Sequence, residues 1–385
     1  MSQTATAAPI AEPAAAAAAA TEAAAPARPA VIDCDLHNEI DSLKDLYPYL
    51  PQRWREHVET FGVRTPNGGY YPRFMDHRED ARPPSGRPPG TDVEFTGRDL
   101  LDRYNVAYAI LNPEVLANVA LDLDLGTALA RATNDWQVAE WLDHDPRLRA
   151  SIMLAPEDPV AAAAEVRRCA RDRRFVQVLF KGRHQEPMGR RRYWPIYEAC
   201  AEEGLHVATH AFGAYGHPIT GAGHASYYIE DHLSPSQSVQ ANITSLVVEG
   251  VFDRFGIKLI SIENAFAWAP SLMWRLDAAW KLLRAEVPHL GRLPSEIICE
   301  HLYLSTQPIE EPPRAADFQR LLEHFGPLAD HLLLASDYPH WDSDNLDVVL
   351  PHSLPEELKA GIRYHNASAL YGLDGSPGRR RTDRP

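Results

Sequence analysis

Four short apolar segments of the sequence lead into histidine or carboxylate side chains. The first contains Asp33-Cys34-Asp35-Leu36-His37, and the two-residue period of a strand would place Asp35 and His37 on one face. The other three segments end at His210, Glu263 and Asp337. Ionisable groups that are buried together cost several kcal/mol each unless they pair or bind a cation. The pattern therefore predicts a buried site for a divalent metal.

These side chains need a scaffold that brings distant parts of the chain to one rim. Short apolar runs alternate with longer helical patterns, which is typical of parallel βα units. Eight strands are predicted, at Val31–His37, Val106–Asn112, Leu148–Leu154, Phe175–Lys181, His206–Ala211, Lys258–Glu263, His301–Gln307 and Leu332–Asp337. A doubly wound sheet would alternate in the same way, but polar residues at the carboxyl ends of eight strands favour a closed (β/α)8 TIM barrel. The four segments are then strands 1, 5, 6 and 8.

Long loops are predicted after strands 1 and 5. Asn38–Thr96 is rich in Pro, Gly, Arg and aromatic residues, and Phe212–Pro235 carries Gly, His and Tyr. Because both follow a strand, both would lie on the barrel face where active sites are formed. Insertions of this length are commonly lids or walls of a substrate pocket. For Asn38–Thr96, a structural arm is an equal alternative.

The composition is that of an acidic globular protein. It has 385 residues and a net charge of −15, which argues against nucleic acid or an anionic membrane as partner and favours a small-molecule substrate. The barrel is predicted over residues 31–373, between an Ala- and Pro-rich disordered tail at 1–30 and a second disordered tail at 374–385. With no apolar run of bilayer length and no signal-peptide pattern, a cytoplasmic location is expected.

The cysteines and tryptophans lead to two smaller expectations. The four cysteines are scattered without CxxC spacing, so they are expected to be reduced and mostly buried. Trp268, Trp274 and Trp280 recur at helical spacing. If such helices are exposed, a homodimer is expected.

The residues at the strand ends resemble the amidohydrolase superfamily, in particular the amidohydrolase-related branch of the aminocarboxymuconate-semialdehyde decarboxylase type. That family has HxH at the end of strand 1, a His after strand 5, a His after strand 6 and an Asp after strand 8. His37, His210 and Asp337 match this pattern. Asp35 stands in place of the first His of HxH, and Glu263 stands in place of the strand 6 His.

The resemblance covers about residues 31–373, and Asn366-Ala-Ser-Ala-Leu-Tyr-Gly is similar to the closing helix of the family. It implies one metal site formed by Asp35, His37, His210, Glu263 and Asp337. Carboxylates in place of imidazoles suit iron or manganese better than zinc, with zinc as an alternative. The resemblance also implies catalysis by Asp337 and His210, in which a metal-bound water reacts and Asp337 is the general base. A hydrolase or decarboxylase of a small carboxylated molecule is the leading hypothesis.

Further side chains after strands 5 and 8 offer either a second metal site or contacts to the substrate. They are His224, Glu230, His232 and His340. Two metals held by carboxylates would resemble the nonheme diiron monooxygenases of diterpenoid biosynthesis, an offshoot of the superfamily. The alternative hypothesis is therefore a nonheme iron monooxygenase of terpenoid-type metabolism. A barrel that binds a ligand without turnover is a third alternative, which the matching residues at three strand ends disfavour.

Overall fold

Eight parallel strands form the core of the molecule. The computed structural model describes residues 29–65, 77–115, 117, 120–211 and 218–373, so apart from positions 29 and 30 both predicted tails lie outside it. The strands are β1 Val31–Leu36, β2 Val106–Leu111, β3 Leu148–Met153, β4 Phe175–Lys181, β5 His206–His210, β6 Leu259–Ile262, β7 Leu302–Ser305 and β8 Leu332–Leu333. Each pairs in parallel with the next, in the order β1 to β8. The eight predicted strands are confirmed, with ends that differ by up to four residues.

The first and last strands meet and complete the barrel. The amide of Cys34 donates to the carbonyl of Leu334 at 2.9 Å, and Leu36 forms a parallel bridge with Tyr338. This closure places the end of β1 beside the end of β8. A doubly wound sheet would have left these two ends far apart, so the predicted TIM barrel is confirmed.

Helices surround the strands. The α-helices are α1 Gln52–Phe61, α2 Val93–Thr96, α3 Leu123–Gln137, α4 Pro159–Cys169, α5 Trp194–Glu203, α6 Tyr228–Leu233, α7 Pro235–Val248, α8 Val251–Phe255, α9 Ala269–Leu283, α10 Pro294–His301, α11 Ala315–Phe325, α12 Glu356–Ala360 and α13 Asn366–Tyr371. Shorter 3-10 and π segments are Leu43–Tyr49, Glu79–Ala81, Gly97–Asp102, Val138–Leu142, Arg191–Tyr193, Gly326–His331 and Gly361–His365. The side chain of Asp158 accepts from the amide of Ala161 and begins α4, and Gly204 ends α5 in the left-handed region.

The insertion after β1 contains more helix than its composition predicts. Leu43–Tyr49 and α1 lie within it, and Trp54 and Val58 of α1 are buried one turn apart on the same helix face. Burial of this apolar pair stabilises a helix that the Pro- and Gly-rich context obscures. The insertion then returns to the barrel mouth, where the amide of Glu39 donates to the carbonyl of Gly90 at 2.8 Å.

The structure also bears on the expectations about the cysteines, the exposed tryptophans and the membrane. Cys34, Cys169 and Cys200 are buried and Cys299 is partly buried, and all four are free thiols. On α9, Trp274 and Leu282 are exposed, as a contact between copies would require. None of the helices in the described part of the chain combines the length and the apolar character needed to cross a bilayer.

Candidate metal centre

The end of β1 supplies two buried side chains that face the interior of the barrel. Asp35 and His37 are both fully buried. His37 Nδ1 lies 2.8 Å from the carbonyl oxygen of Asn112, so this nitrogen is the donor of the ring. His37 Nε2 is then left to face the site, 3.5 Å from Asp35 Oδ1 and 3.0 Å from Asp337 Oδ1.

The ends of β5 and β6 contribute His210 and Glu263. His210 Nε2 lies 3.6 Å from Asp35 Oδ1, and His210 Nδ1 lies 3.3 Å from Glu263 Oε2. Both side chains are buried. The imidazole of His210 therefore connects the carboxylate of β1 with the carboxylate that follows β6.

Asp337 follows β8 and lies between two imidazoles. Its Oδ1 is 3.0 Å from His37 Nε2 and 2.8 Å from His340 Nδ1. Asp337 and Glu263 also have left-handed backbone conformations, with φ of 60° and 56°. Such conformations cost roughly 1–3 kcal/mol for a residue other than glycine and persist where the surrounding fold imposes them, often at functional sites.

Several polar atoms at the centre of this cluster lack a hydrogen-bond partner among the described residues. They are Asp35 Oδ2, His210 Nε2 and Asp337 Oδ2. Ligand atoms from Asp35, His37, His210 and Glu263 lie within 4.8 Å of one another, and Glu263, Asp337 and His340 form a second group of the same compactness. Buried carboxylate and imidazole atoms without partners are what a divalent cation would satisfy. The donor set thus fits a metal.

The electrostatics of the cluster follow from burial and from the neighbouring charges. Burial raises the pKa of Glu263 well above its usual range, and the charge of Asp337 adds to this effect. Burial also acts to raise the pKa of Asp337, but the charge of His340 and the hydrogen bond that His340 donates outweigh it, so the pKa is lowered. Burial and the nearby Lys181 lower the pKa of His210. A neutral His210 is the form that binds a metal.

The structure adds three charged residues that the sequence patterns did not single out. Glu39 continues the alternation of Asp35 and His37, and it forms a further compact group with His37 and His340. Lys181 ends β4 directly beside His210 in the strand register and is ion-paired with Glu114. Its position at the end of a strand could have marked Lys181 as a residue of the site. It was overlooked because the rest of the strand is mostly apolar.

The remaining residues predicted for a second metal lie apart from these groups, except His340. Within the described residues, neither His224, Glu230 nor His232 belongs to a compact set of ligand atoms. Glu230 instead accepts from the amides of Ser226 and Tyr227 and caps α6. His232 Nε2 lies 3.0 Å from Asp342 Oδ2, and His224 is exposed. A second cation would thus have to be bound by His340 together with Glu39, Glu263 or Asp337.

Comparison with known proteins gives a family and a set of relatives. The model of the amidohydrolase family matches residues 32–373. The chain is 27% identical over 299 residues to the gamma-resorcylate decarboxylase of Rhizobium sp. strain MTP-10005, an alignment that covers 74% of this chain and 89% of the relative.

Solved structures share the fold. The dihydroxybenzoic acid decarboxylase of Polaromonas sp. JS666, with bound manganese and the inhibitor 2-nitroresorcinol, is similar with a TM-score of 0.63 and 21% identity over 89% of this chain and 97% of that one. A mutant 5-carboxyvanillate decarboxylase of Novosphingobium aromaticivorans, also with bound manganese, has a TM-score of 0.66 and 16% identity over 89% and 97% of the two chains.

Proposed function

Because this chain belongs to the amidohydrolase family, we propose that it is a metal-dependent decarboxylase of a small hydroxylated aromatic acid. The observation that carries the proposal is the buried cluster of imidazoles and carboxylates at the ends of β1, β5, β6 and β8. The gamma-resorcylate decarboxylases among its relatives support decarboxylation over hydrolysis.

The proposal assigns the metal to five side chains, namely Asp35, His37, His210, Glu263 and Asp337. Three of the five are carboxylates, so manganese or iron fits the site better than zinc. The manganese bound in two similar solved structures favours manganese over iron. The metal would supply Lewis-acid stabilisation of negative charge on the oxygen atoms of a bound aromatic acid.

Asp337 and His340 supply the proton that the reaction consumes. Replacing a carboxyl group by hydrogen breaks a carbon–carbon bond, releases CO2 and takes up one proton at the ring carbon. Burial acts to lower the pKa of His340, but the charge and hydrogen bond of Asp337 outweigh it and raise the pKa well above its usual range. The imidazole of His340 therefore holds a proton beside Asp337 Oδ1, and Asp337 passes this proton to the ring carbon as the carbon–carbon bond breaks.

Substitution of Asp337 tests the proposal. The wild-type protein, loaded with Mn²⁺, should release CO2 from a hydroxybenzoic acid within a panel that varies the hydroxyl positions. Asp337→Asn should lower kcat by at least about 100-fold, the usual contribution of a positioned acid or base, and exposed Asp330→Asn should leave it unchanged. CO2 release at wild-type rate by Asp337→Asn would contradict the assignment, and hydrolysis without CO2 release would contradict decarboxylation.

A nonheme iron monooxygenase is the second candidate. The observation that favours it is the overlap of three compact ligand groups, which gives the centre more carboxylates and imidazoles than one ion needs. Elemental analysis separates the two candidates, because the oxygenase requires two irons per chain and O2-dependent turnover. One manganese per chain and turnover without O2 would exclude it.

The cytoplasmic location and the homodimer remain predictions. Trp274 and Leu282 on α9 are exposed apolar side chains, of the kind that a contact between copies would cover. Sedimentation velocity of the purified protein tests the homodimer, and a single species at the mass of one chain would contradict it.

A further inference from the structure

A series of buried hydrogen bonds crosses the interior of the barrel and ends on Asp35. The hydroxyl of Tyr371 on α13 donates to Gln177 Oε1 of β4 at 2.7 Å, and Gln177 Nε2 donates to Ser151 Oγ of β3 at 2.8 Å. Ser151 Oγ donates to Asn112 Oδ1 at 2.6 Å. Asn112 Nδ2, just after β2, donates to Asp35 Oδ1 at 2.8 Å. All five side chains are buried.

The neighbours of each side chain in this series determine which of its atoms donates a hydrogen bond and which accepts one. Asn112 Nδ2 faces two acceptors, Asp35 Oδ1 and the carbonyl of Cys34, so the amide end of Asn112 must point toward the metal cluster. Asn112 Oδ1 then accepts from Ser151, whose oxygen is left to accept from Gln177 Nε2. All the donors therefore point toward the carboxylate, and bonds aligned in this way polarise one another.

Asn112 also holds the second ligand candidate from β1. Its backbone carbonyl accepts from His37 Nδ1 at 2.8 Å, which leaves His37 Nε2 for a metal. One residue thus contacts both Asp35 and His37. A rotation of the Asn112 side chain would present its oxygen to Asp35 Oδ1, and two acceptors would then face each other in a buried site.

We propose that Ser151 and Gln177 are positioning residues, which set the orientation of Asp35 for the metal by locking the amide of Asn112. The inference rests on the metal site used in the proposed function, but it does not depend on the substrate. Outer partners of metal ligands commonly change metal affinity by about 10–100-fold when they are removed. Because Ser151 acts through Asn112, we expect its effect at the lower end of that range.

The test compares Ser151→Ala with Ser261→Ala in the full-length protein. The hydroxyl of Ser261 in β6 is also buried but has no hydrogen-bond partner among the described residues, so its loss removes no bond of this series. The affinity of each protein for Mn²⁺ alone is measured by calorimetry. We expect Ser151→Ala to weaken binding roughly tenfold, Tyr371→Phe to weaken it less, and Ser261→Ala to leave it within about twofold of wild type.

A spectroscopic readout separates positioning from a loss of stability. The electron paramagnetic resonance spectrum of bound Mn²⁺ should change in Ser151→Ala and Gln177→Leu and stay the same in Ser261→Ala, since the spectrum reports the ligand arrangement. Equal affinities and identical spectra for folded Ser151→Ala and Ser261→Ala would overturn the inference. A wild-type protein that binds Mn²⁺ but decarboxylates none of the acids would refute the proposed function and leave this inference intact.

Discussion

Lys181 is a buried ammonium beside a cluster of carboxylates. Burial acts to lower its pKa, but the charge of Glu114 and a hydrogen bond to it outweigh that effect and raise the pKa. Burial acts to raise the pKa of Glu114, and Lys181 together with nearby imidazoles lowers it instead. Each partner therefore keeps the other ionised, and a charge left alone at this position would be costly.

Removal of one member of this pair should cost more than removal of both. Lys181→Met leaves the Glu114 carboxylate without its cation and close enough to Glu263 to repel it. We expect a loss of about 1–3 kcal/mol, below the range for fully buried pairs because Glu114 is partly exposed. The double variant with Glu114→Gln should recover part of this loss. Urea unfolding of the metal-free proteins in a double-mutant cycle measures the coupling. If the losses in the free energy of unfolding from the two substitutions were strictly additive, the Lys181–Glu114 pair would contribute no coupling.

The sequence could not predict the neutral residues that contact the candidate metal site. Asp35, His37, His210, Glu263 and Asp337 could be proposed as ligands from the sequence, because ionisable residues at the ends of apolar runs are unusual. Ser151 and Gln177 are uncharged residues inside strands, where a hydroxyl or an amide has many ordinary roles. Tyr371 is 194 residues from its partner Gln177, and only the closed barrel brings them together.

At the scale of elements, the strands were easier to predict than the insertions. Strands buried on both sides produce continuous apolar runs, and β4 was predicted with its observed ends at Phe175 and Lys181. The helix α1 was not predicted, because its stability depends on burying Trp54 and Val58 against the rest of the molecule. Local sequence cannot report a tertiary contact of that kind.

The contact between the segment after β4 and helix α7 offers a test at this scale. Gly189 donates its amide to Ser245 Oγ at 3.1 Å, and a Cβ at position 189 would overlap the carbonyl oxygen of Ser245. Gly189→Ala must therefore displace the segment or the helix, and we expect it to lower the free energy of unfolding by about 1–3 kcal/mol. Thermal and urea unfolding measure the change.

Gly221→Ala is the matched control for this substitution. An added Cβ at position 221 would meet no atom within 4 Å, and the residue does not need the left-handed region. The free energy of unfolding should therefore stay within about 0.5 kcal/mol of wild type. Equal stability of the two alanine variants would show that the close approach to Ser245 is not a constraint.

At the scale of the whole molecule, the candidate metal centre depends on the closure of the barrel. His37 and Asp337 are 300 residues apart in sequence and 3.0 Å apart in space. Their proximity requires the contacts between β1 and β8, including the bond from the Cys34 amide to the Leu334 carbonyl. An unfolded chain cannot present these side chains together, so binding of the proposed metal would be thermodynamically linked to folding.

This linkage predicts that the melting temperature depends on the metal. Mn²⁺ at about 100 times its dissociation constant should stabilise the folded protein by roughly 2.7 kcal/mol relative to protein in EDTA. His210→Ala should lose most of that stabilisation, since it removes a central ligand candidate, and exposed His144→Ala should keep it. Calorimetric melting across a series of Mn²⁺ concentrations measures the effect. If wild type and His210→Ala responded equally to Mn²⁺, His210 would not hold the ion, and the proposed set of ligands would be wrong.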